Sequence, residues 1–148
     1  MKEGQTSISQ DSKVLIDTNV LVYAVELKSN QNAAALSVIE KHCTAGTCVV
    51  SSQNLAEFMN VVDEKNKLGF EEARVFIRKL ADSSIILTYT GDDVLRASQI
   101  RESYSIPFFD ALLVATMERE NIHTVVTENV RDFKKVPWLN VLSPFLKK

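Results

Sequence analysis

Apolar residues in this chain fall in short runs separated by amphipathic stretches, the pattern of strands alternating with helices. Val14-Leu15-Ile16 is a β-rich run that stops at Asp17. A helical stretch follows from Asn19 to about Leu27, and Ser29-Asn30-Gln31-Asn32 breaks it. Ala35, Val38, Ile39 and His42 recur at i, i+3, i+4 and i+7, one face of a helix that Gly46 ends. Thr47 to Val50 reads as a second strand. Ser51 and Ser52 then offer an N-cap to a helix striped by Leu55, Phe58, Met59 and Val62. Leu68-Gly69 closes that helix, and Ala73, Phe76, Ile77 and Leu80 mark the next. Ile85 to Leu87 is a third strand, and Thr90-Gly91-Asp92-Asp93 fits a capping box opening a helix to about Tyr104. Pro107 leads into a helix from Phe109 to Glu120, and Thr124 to Val126 is a fourth strand. Asn129 to Lys135 reads as a polar turn or short helix, and Leu139 to Leu142 supplies an edge strand before Pro144.

Strands that are short and apolar throughout belong in a parallel sheet covered on both faces. The expected fold is therefore α/β, three-layer α/β/α, with a central parallel sheet of four or five short strands. No repeat or linker divides the chain, so residues 1–12 read as a flexible leader and 13–148 as a single domain. No apolar run is long enough to cross a bilayer, and the polar start has no secretory core segment. With two cysteines and no export signal, a cytoplasmic location follows. Cys43, Cys48 and His42 are too few for a structural zinc site, which takes about four ligands, so buried thiols are the expectation. His42, on an apolar stripe, reads as packing, while His123 falls in an exposed turn.

Three acids change the picture. Asp17, Glu57 and Asp110 each sit where an apolar run meets a polar turn or a helix start. Burying an unpaired carboxylate is costly, so three such positions suggest a shared cause. In open parallel sheets, sites form beyond the C-terminal strand ends. Asp17 directly follows the first strand, Glu57 lies one or two turns into the helix after the second, and Asn129 and Asp132 follow the fourth. Asp110 opens the helix that feeds the fourth strand, and joins the others only if that helix runs down from the same rim. Singly, each acid has a plain explanation: a helix N-cap for Asp17, a first-turn acid facing the helix dipole for Asp110, a surface residue for Glu57. Together they suit a hard divalent cation, which takes oxygen ligands and offsets their repulsion. The net charge of −2 gives no global basic field for nucleic acid, but a bound ion brings local positive charge.

The segments Leu-Ile-Asp-Thr-Asn-Val-Leu-Val-Tyr-Ala (15–24), Ser-Ser-Gln-Asn-Leu-Ala-Glu-Phe (51–58), Phe-Phe-Asp-Ala-Leu-Leu-Val-Ala (108–115) and Val-Thr-Glu-Asn-Val-Arg-Asp-Phe (126–133) resemble those of PIN-domain ribonucleases. Within that family the chain is similar to the VapC-type toxins of toxin–antitoxin pairs, from about Lys13 to Phe145. The resemblance implies a PIN-like fold, Mg²⁺ or Mn²⁺ held by Asp17, Glu57 and Asp110, and endonucleolytic cutting of RNA that leaves a 5′-phosphate and a 3′-hydroxyl. It also implies a homodimer, and an antitoxin that inserts a segment near the acids. Thr18, Asn19 and Thr127 are supporting polar residues in this reading. Many members have an Asp where this chain has Asn129; Asp132 then supplies the fourth catalytic charge, or Asn129 ligates through its carbonyl, and one or two metals remain open. Such an ion stabilises charge on the nonbridging phosphate oxygens and acidifies a bound water, so no histidine base is required.

Arg131, Lys134 and Lys135 lie near the expected site and are candidates for RNA contact. Lys65, Lys67, Arg74, Arg78 and Lys79 read as a solvated face, and Trp138 as a packed aromatic. Val61 and Val75 are apolar beyond one stripe's need and suggest a partner surface. Three other readings compete. A phosphotransferase of the haloacid-dehalogenase type wants a second Asp two residues after the first, where Asn19 stands. A degenerate PIN fold acting as an RNA- or protein-binding module is favoured only by Asn129. An RNA-processing nuclease outside any toxin–antitoxin pair keeps the same site.

Overall fold

The computed structural model describes residues 12–65 and 67–145. The leader expected over residues 1–12 lies, apart from Ser12, outside them. Five strands run in chain order: β1 (Val14–Ile16), β2 (Cys48–Ser51), β3 (Ile85–Leu87), β4 (Thr124–Val126) and β5 (Asn140–Leu142). They form one sheet in the order β3-β2-β1-β4-β5, and every pairing is parallel. Seven helices are present among the described residues: α1 (Thr18–Val25), α2 (Asn32–Ala45), α3 (Ser52–Glu64), α4 (Phe70–Asp82), α5 (Gly91–Tyr104), α6 (Phe108–Arg119) and α7 (Val130–Phe133).

Strand periodicity sorts the core into two halves. Val14, Ile16, Cys48, Val50 and Val126 face one side, where α1, α2, α3 and α4 cover them. Leu15, Val49, Leu87 and Val125 face the other, packed by α5, α6 and the segment around Phe133 to Leu139. The central strands β1 and β4 are buried along their whole length, which is why they read as uninterrupted apolar runs. Fourteen-residue α5 begins with the expected capping box: Thr90 accepts from the Asp93 N–H, and Asp93 accepts from the Thr90 N–H. Gly46 ends α2 at φ 76, the left-handed conformation that a glycine adopts without steric cost.

Element ends differ from the sequence reading by one to four residues. Helix α1 starts at Thr18, because Asp17 itself is the N-cap, and α3 stops at Glu64. Both cysteines are free; Cys48 is buried as expected, while Cys43 is only half-buried, and burial pushes the Cys48 thiol up to about 12, so it stays a packed, protonated group. His42 is half-buried, its Nδ1 2.7 Å from the Thr47 hydroxyl. His123 is exposed and meets Trp138 edge-on at 5.8 Å. Among the described residues no helix is long and apolar enough to cross a membrane.

Candidate active site

Register alone brings the first two groups together. Ile16 pairs with Val126, so the next residues, Asp17 and Thr127, stand side by side where β1 and β4 end. There the Thr127 hydroxyl donates to Asp17 Oδ2 at 2.8 Å. Asn19 Nδ2 adds a donation to the same oxygen at 3.3 Å, and its Oδ1 accepts from the Glu128 N–H. Strand β2 ends one strand over, and Ser51 caps α3 by accepting from the Asn54 N–H. That cap turns Asn54 and Glu57 onto the same rim. Asn54 Nδ2 donates to Asp17 Oδ1 at 3.3 Å and to the Thr18 hydroxyl at 2.9 Å. Thr18 in turn donates to Glu57 Oε1 at 2.8 Å.

Asp110 reaches this rim because α6 begins there. Gln53 Nε2, on α3, donates to the Phe109 carbonyl at 2.8 Å and ties the first turn of α6 to the start of α3. The Asn129 side-chain amide donates to Asp110 Oδ2 and to Asp132 Oδ2, both at 3.1 Å. Its Oδ1 caps α7 by accepting from the Asp132 N–H. Asn129 therefore bridges two carboxylates, and its carbonyl is engaged with the backbone. A single network runs from Glu57 through Thr18, Asn54, Asp17, Thr127 and Asn129 to Asp110 and Asp132.

Two of these acids are electrostatically unlike an ordinary buried carboxylate. Burial raises the Asp17 pKa; hydrogen bonds from Thr127 and Thr18 oppose the rise, and Glu57 adds to it. Burial, followed by the charges of Asp17, Asp132 and Glu57, pushes Asp110 up to about 7. Asp93 is the contrast. Burial works against its ionised form too, but hydrogen bonds from Arg119 and from the Thr90 N–H hold its pKa below the ordinary value. A structural acid is compensated by a guanidinium; Asp110 instead faces other acids.

Asp17, Glu57, Asp110 and Asn129 line one cleft of about 610 Å³, together with Thr18, Asn19, Tyr23, Lys65 and Lys67. Asp132 stands behind Asn129 and carries Lys135 at 3.5 Å. Arg131, Lys134 and Lys135 are exposed and do not line the cleft. Two basic residues that the sequence assigned to a solvated face do line it, and Lys67 pairs there with Glu26. Val61 lines the same cleft, and Val75 is exposed on α4.

All-oxygen carboxylate donors facing one another suit a hard divalent cation such as Mg²⁺ or Mn²⁺ in donor type and in charge. Among the described residues no three His, Cys, Asp or Glu side chains are drawn close enough to enclose an ion. The fit is one of chemistry and charge, with Thr18 and Asn129 standing between the acids.

Sequence reasoning passed over Asn54. It is fully buried, and its signal was available: a polar residue one turn before Glu57, on the inward side of an apolar stripe. Asn54→Leu, similar in volume, leaves the Ser51 and Thr18 hydroxyls and Asp17 Oδ1 each short of a partner. It is expected to lower stability by about 1–3 kcal/mol, read as a lower midpoint in thermal denaturation; an unchanged midpoint would show that the network does not depend on it.

A family model described as the PIN domain matches residues 14–139. No curated protein sequence matches the chain significantly. Among solved structures, the chain is similar to one in a toxin–antitoxin complex from Klebsiella pneumoniae, at 21% identity and TM-score 0.66, covering 91% of this chain and 100% of that one. It is also similar to the VapBC2 complex of Rickettsia felis bound to a promoter DNA fragment, at 23% identity and TM-score 0.67, over 88% of this chain and 97% of that one. A third likeness is to the sarcin-ricin loop cleaving toxin VapC20 of Mycobacterium tuberculosis, at 15% identity and TM-score 0.69, over 88% of this chain and 99% of that one. At these identities the likeness concerns the fold.

Proposed function

This chain belongs to the PIN-domain family, and on that premise we propose that it is a divalent-metal-dependent endoribonuclease and the toxin of a toxin–antitoxin pair. The observation that carries the nuclease reading is the network above, which gathers four carboxylates from four separate elements at one rim of the sheet. Asp17, Glu57 and Asp110 are the proposed metal ligands, and Asp132 the fourth catalytic acid. When bound, Mg²⁺ or Mn²⁺ supplies positive charge for the nonbridging phosphate oxygens and acidifies the attacking water.

The chain's own residues do the positioning. Thr127 and Asn19 hold one oxygen of Asp17, while the Thr18 N–H and Asn54 hold the other. Thr18 orients Glu57, and Asn129 keeps Asp110 and Asp132 from closing on each other. Lys65 and Lys67 on the cleft wall, and Arg131, Lys134 and Lys135 beyond Asp132, are the proposed phosphate contacts. The toxin role is supported by the solved neighbours: the Klebsiella pneumoniae structure is a toxin–antitoxin complex, and the Mycobacterium tuberculosis one is a sarcin-ricin loop cleaving toxin. A cognate antitoxin, an RNA substrate, a homodimer and a cytoplasmic location complete the reading.

Purified protein is expected to cut single-stranded or structured RNA in the presence of Mg²⁺ or Mn²⁺. EDTA should stop the reaction and either ion restore it, with 5′-phosphate and 3′-hydroxyl ends on the products. Cutting that persists in EDTA, or products ending in a cyclic phosphate, would defeat the assignment.

A further inference from the structure

Beside the acid cleft lies a second pocket of about 490 Å³, lined by Ser52, Gln53, Ala56, Glu57, Tyr89 and Phe109. Glu57 belongs to both, so one side chain divides them. Phe109 is 60% exposed and Tyr89 48%. Both rings are mounted on fixed backbone. The Phe109 carbonyl accepts from Gln53, and the Phe108 ring braces Phe109 edge-on at 5.4 Å. Tyr89 stands between the Thr88 carbonyl, which accepts from Arg119 at 2.6 Å, and the Thr90 N–H, which donates to Asp93 at 2.9 Å.

We propose that Tyr89 and Phe109 form a subsite for one unpaired nucleobase of the substrate RNA, next to the bond that is cut. This inference rests on the nuclease reading and narrows it to unpaired RNA. A base is one sugar removed from its phosphate, and Phe109 is one residue removed from Asp110. Aromatic rings offer a π-face that stacks on any base, and paired helices keep their base faces hidden. Charge points the same way. Among the described residues, the pocket wall holds a carboxylate and no cationic side chain, so it suits a neutral base and repels a second phosphate. Preset rings also lose little freedom on binding.

The test uses the full chain and a short fluorescein-labelled single-stranded RNA that the wild-type protein cuts, intact or abasic at the nucleotide flanking the cut. Phe109→Ala and Tyr89→Ala are expected to raise KM roughly tenfold with kcat within about twofold. Phe109→Leu should behave like the alanine variant, and Phe109→Tyr like wild type. The abasic RNA should lose the same factor with wild-type protein and nothing more with Phe109→Ala, since both remove one stacking contact. Unchanged KM in both alanine variants overturns the subsite. So does a loss of self-association on size-exclusion chromatography with KM unchanged, which makes this face a protein interface. Fluorescence anisotropy with a fluorescein-labelled single-stranded RNA in EDTA, whether or not that RNA is cut, separates the two readings. Weaker binding by Phe109→Ala than by wild type supports the subsite even if no cutting is found; equal binding removes it even if cutting is metal-dependent.

Discussion

Asp17→Asn is expected to cut RNA at least about a thousandfold more slowly than wild type while keeping its fold, because the charge it loses is worth several kcal/mol to the transition state. The fold survives for a reason visible in the network. Asp17 is buried, and burial already raises its pKa, so a neutral side chain of the same shape relieves a desolvation cost. Part of that relief is offset. Asp17 accepts from the Thr18 N–H, Asn54, Thr127 and Asn19, and an amide group cannot accept on both of its atoms. The Thr127 hydroxyl can rotate to compensate; the Asn19 amide faces another donor. Asp110→Asn should be equally inactive. Circular dichroism and gel-based RNA cleavage together check this, and a variant that folds and cuts at the wild-type rate would remove Asp17 from the chemistry.

The second large effect is a pH-dependent stability that a divalent ion cancels. The Asp110 pKa of about 7 in the fold exceeds its ordinary 3.8. Between those values the folded protein keeps a proton that the unfolded chain has released, so stability falls as pH rises from about 4 to about 7 and then levels off. The full shift overstates the effect, because the side chain is only half-buried and solvent screens it; about 1–2 kcal/mol is expected. For a chain of 148 residues that is roughly 3–8 °C in midpoint. Asp110→Asn should lessen the fall, leaving the share of Asp17, whose pKa burial also raises, and melt above wild type at pH 8 in EDTA. Millimolar Mg²⁺ or Mn²⁺ should raise the wild-type midpoint more at pH 8 than at pH 5, since the ion binds the ionised acids. Thermal melts across this range read all three. A wild-type profile that rises between pH 5 and 7 relative to Asp110→Asn reverses the sign and sinks the argument.

The paired roles of these acids explain why plain and functional readings of the sequence coexisted. Asp17 is an N-cap and also the centre of the network; Asp110 is a first-turn acid and also faces three carboxylates. Asp93, which the sequence reads as part of a capping box, is also compensated by Arg119, 26 residues away. No local pattern could announce that partner. At the fourth position, Asn129 holds Asp110 and Asp132 with one amide group.

Sequence alone determined the alternation of strands and helices, the parallel character of the sheet and the places of Asp17 after β1 and Glu57 within α3. Those features follow from side-chain period and burial, which are written locally. Only the tertiary structure decided that α6 begins at the rim where β1 and β4 end, that Asn54 reaches Asp17, and that Lys65 and Lys67 rather than Arg131 and Lys134 line the cleft. Those facts depend on how distant helices cross the sheet, and hydrophobic periodicity tells a helix which face to bury but not which neighbour's end it will meet.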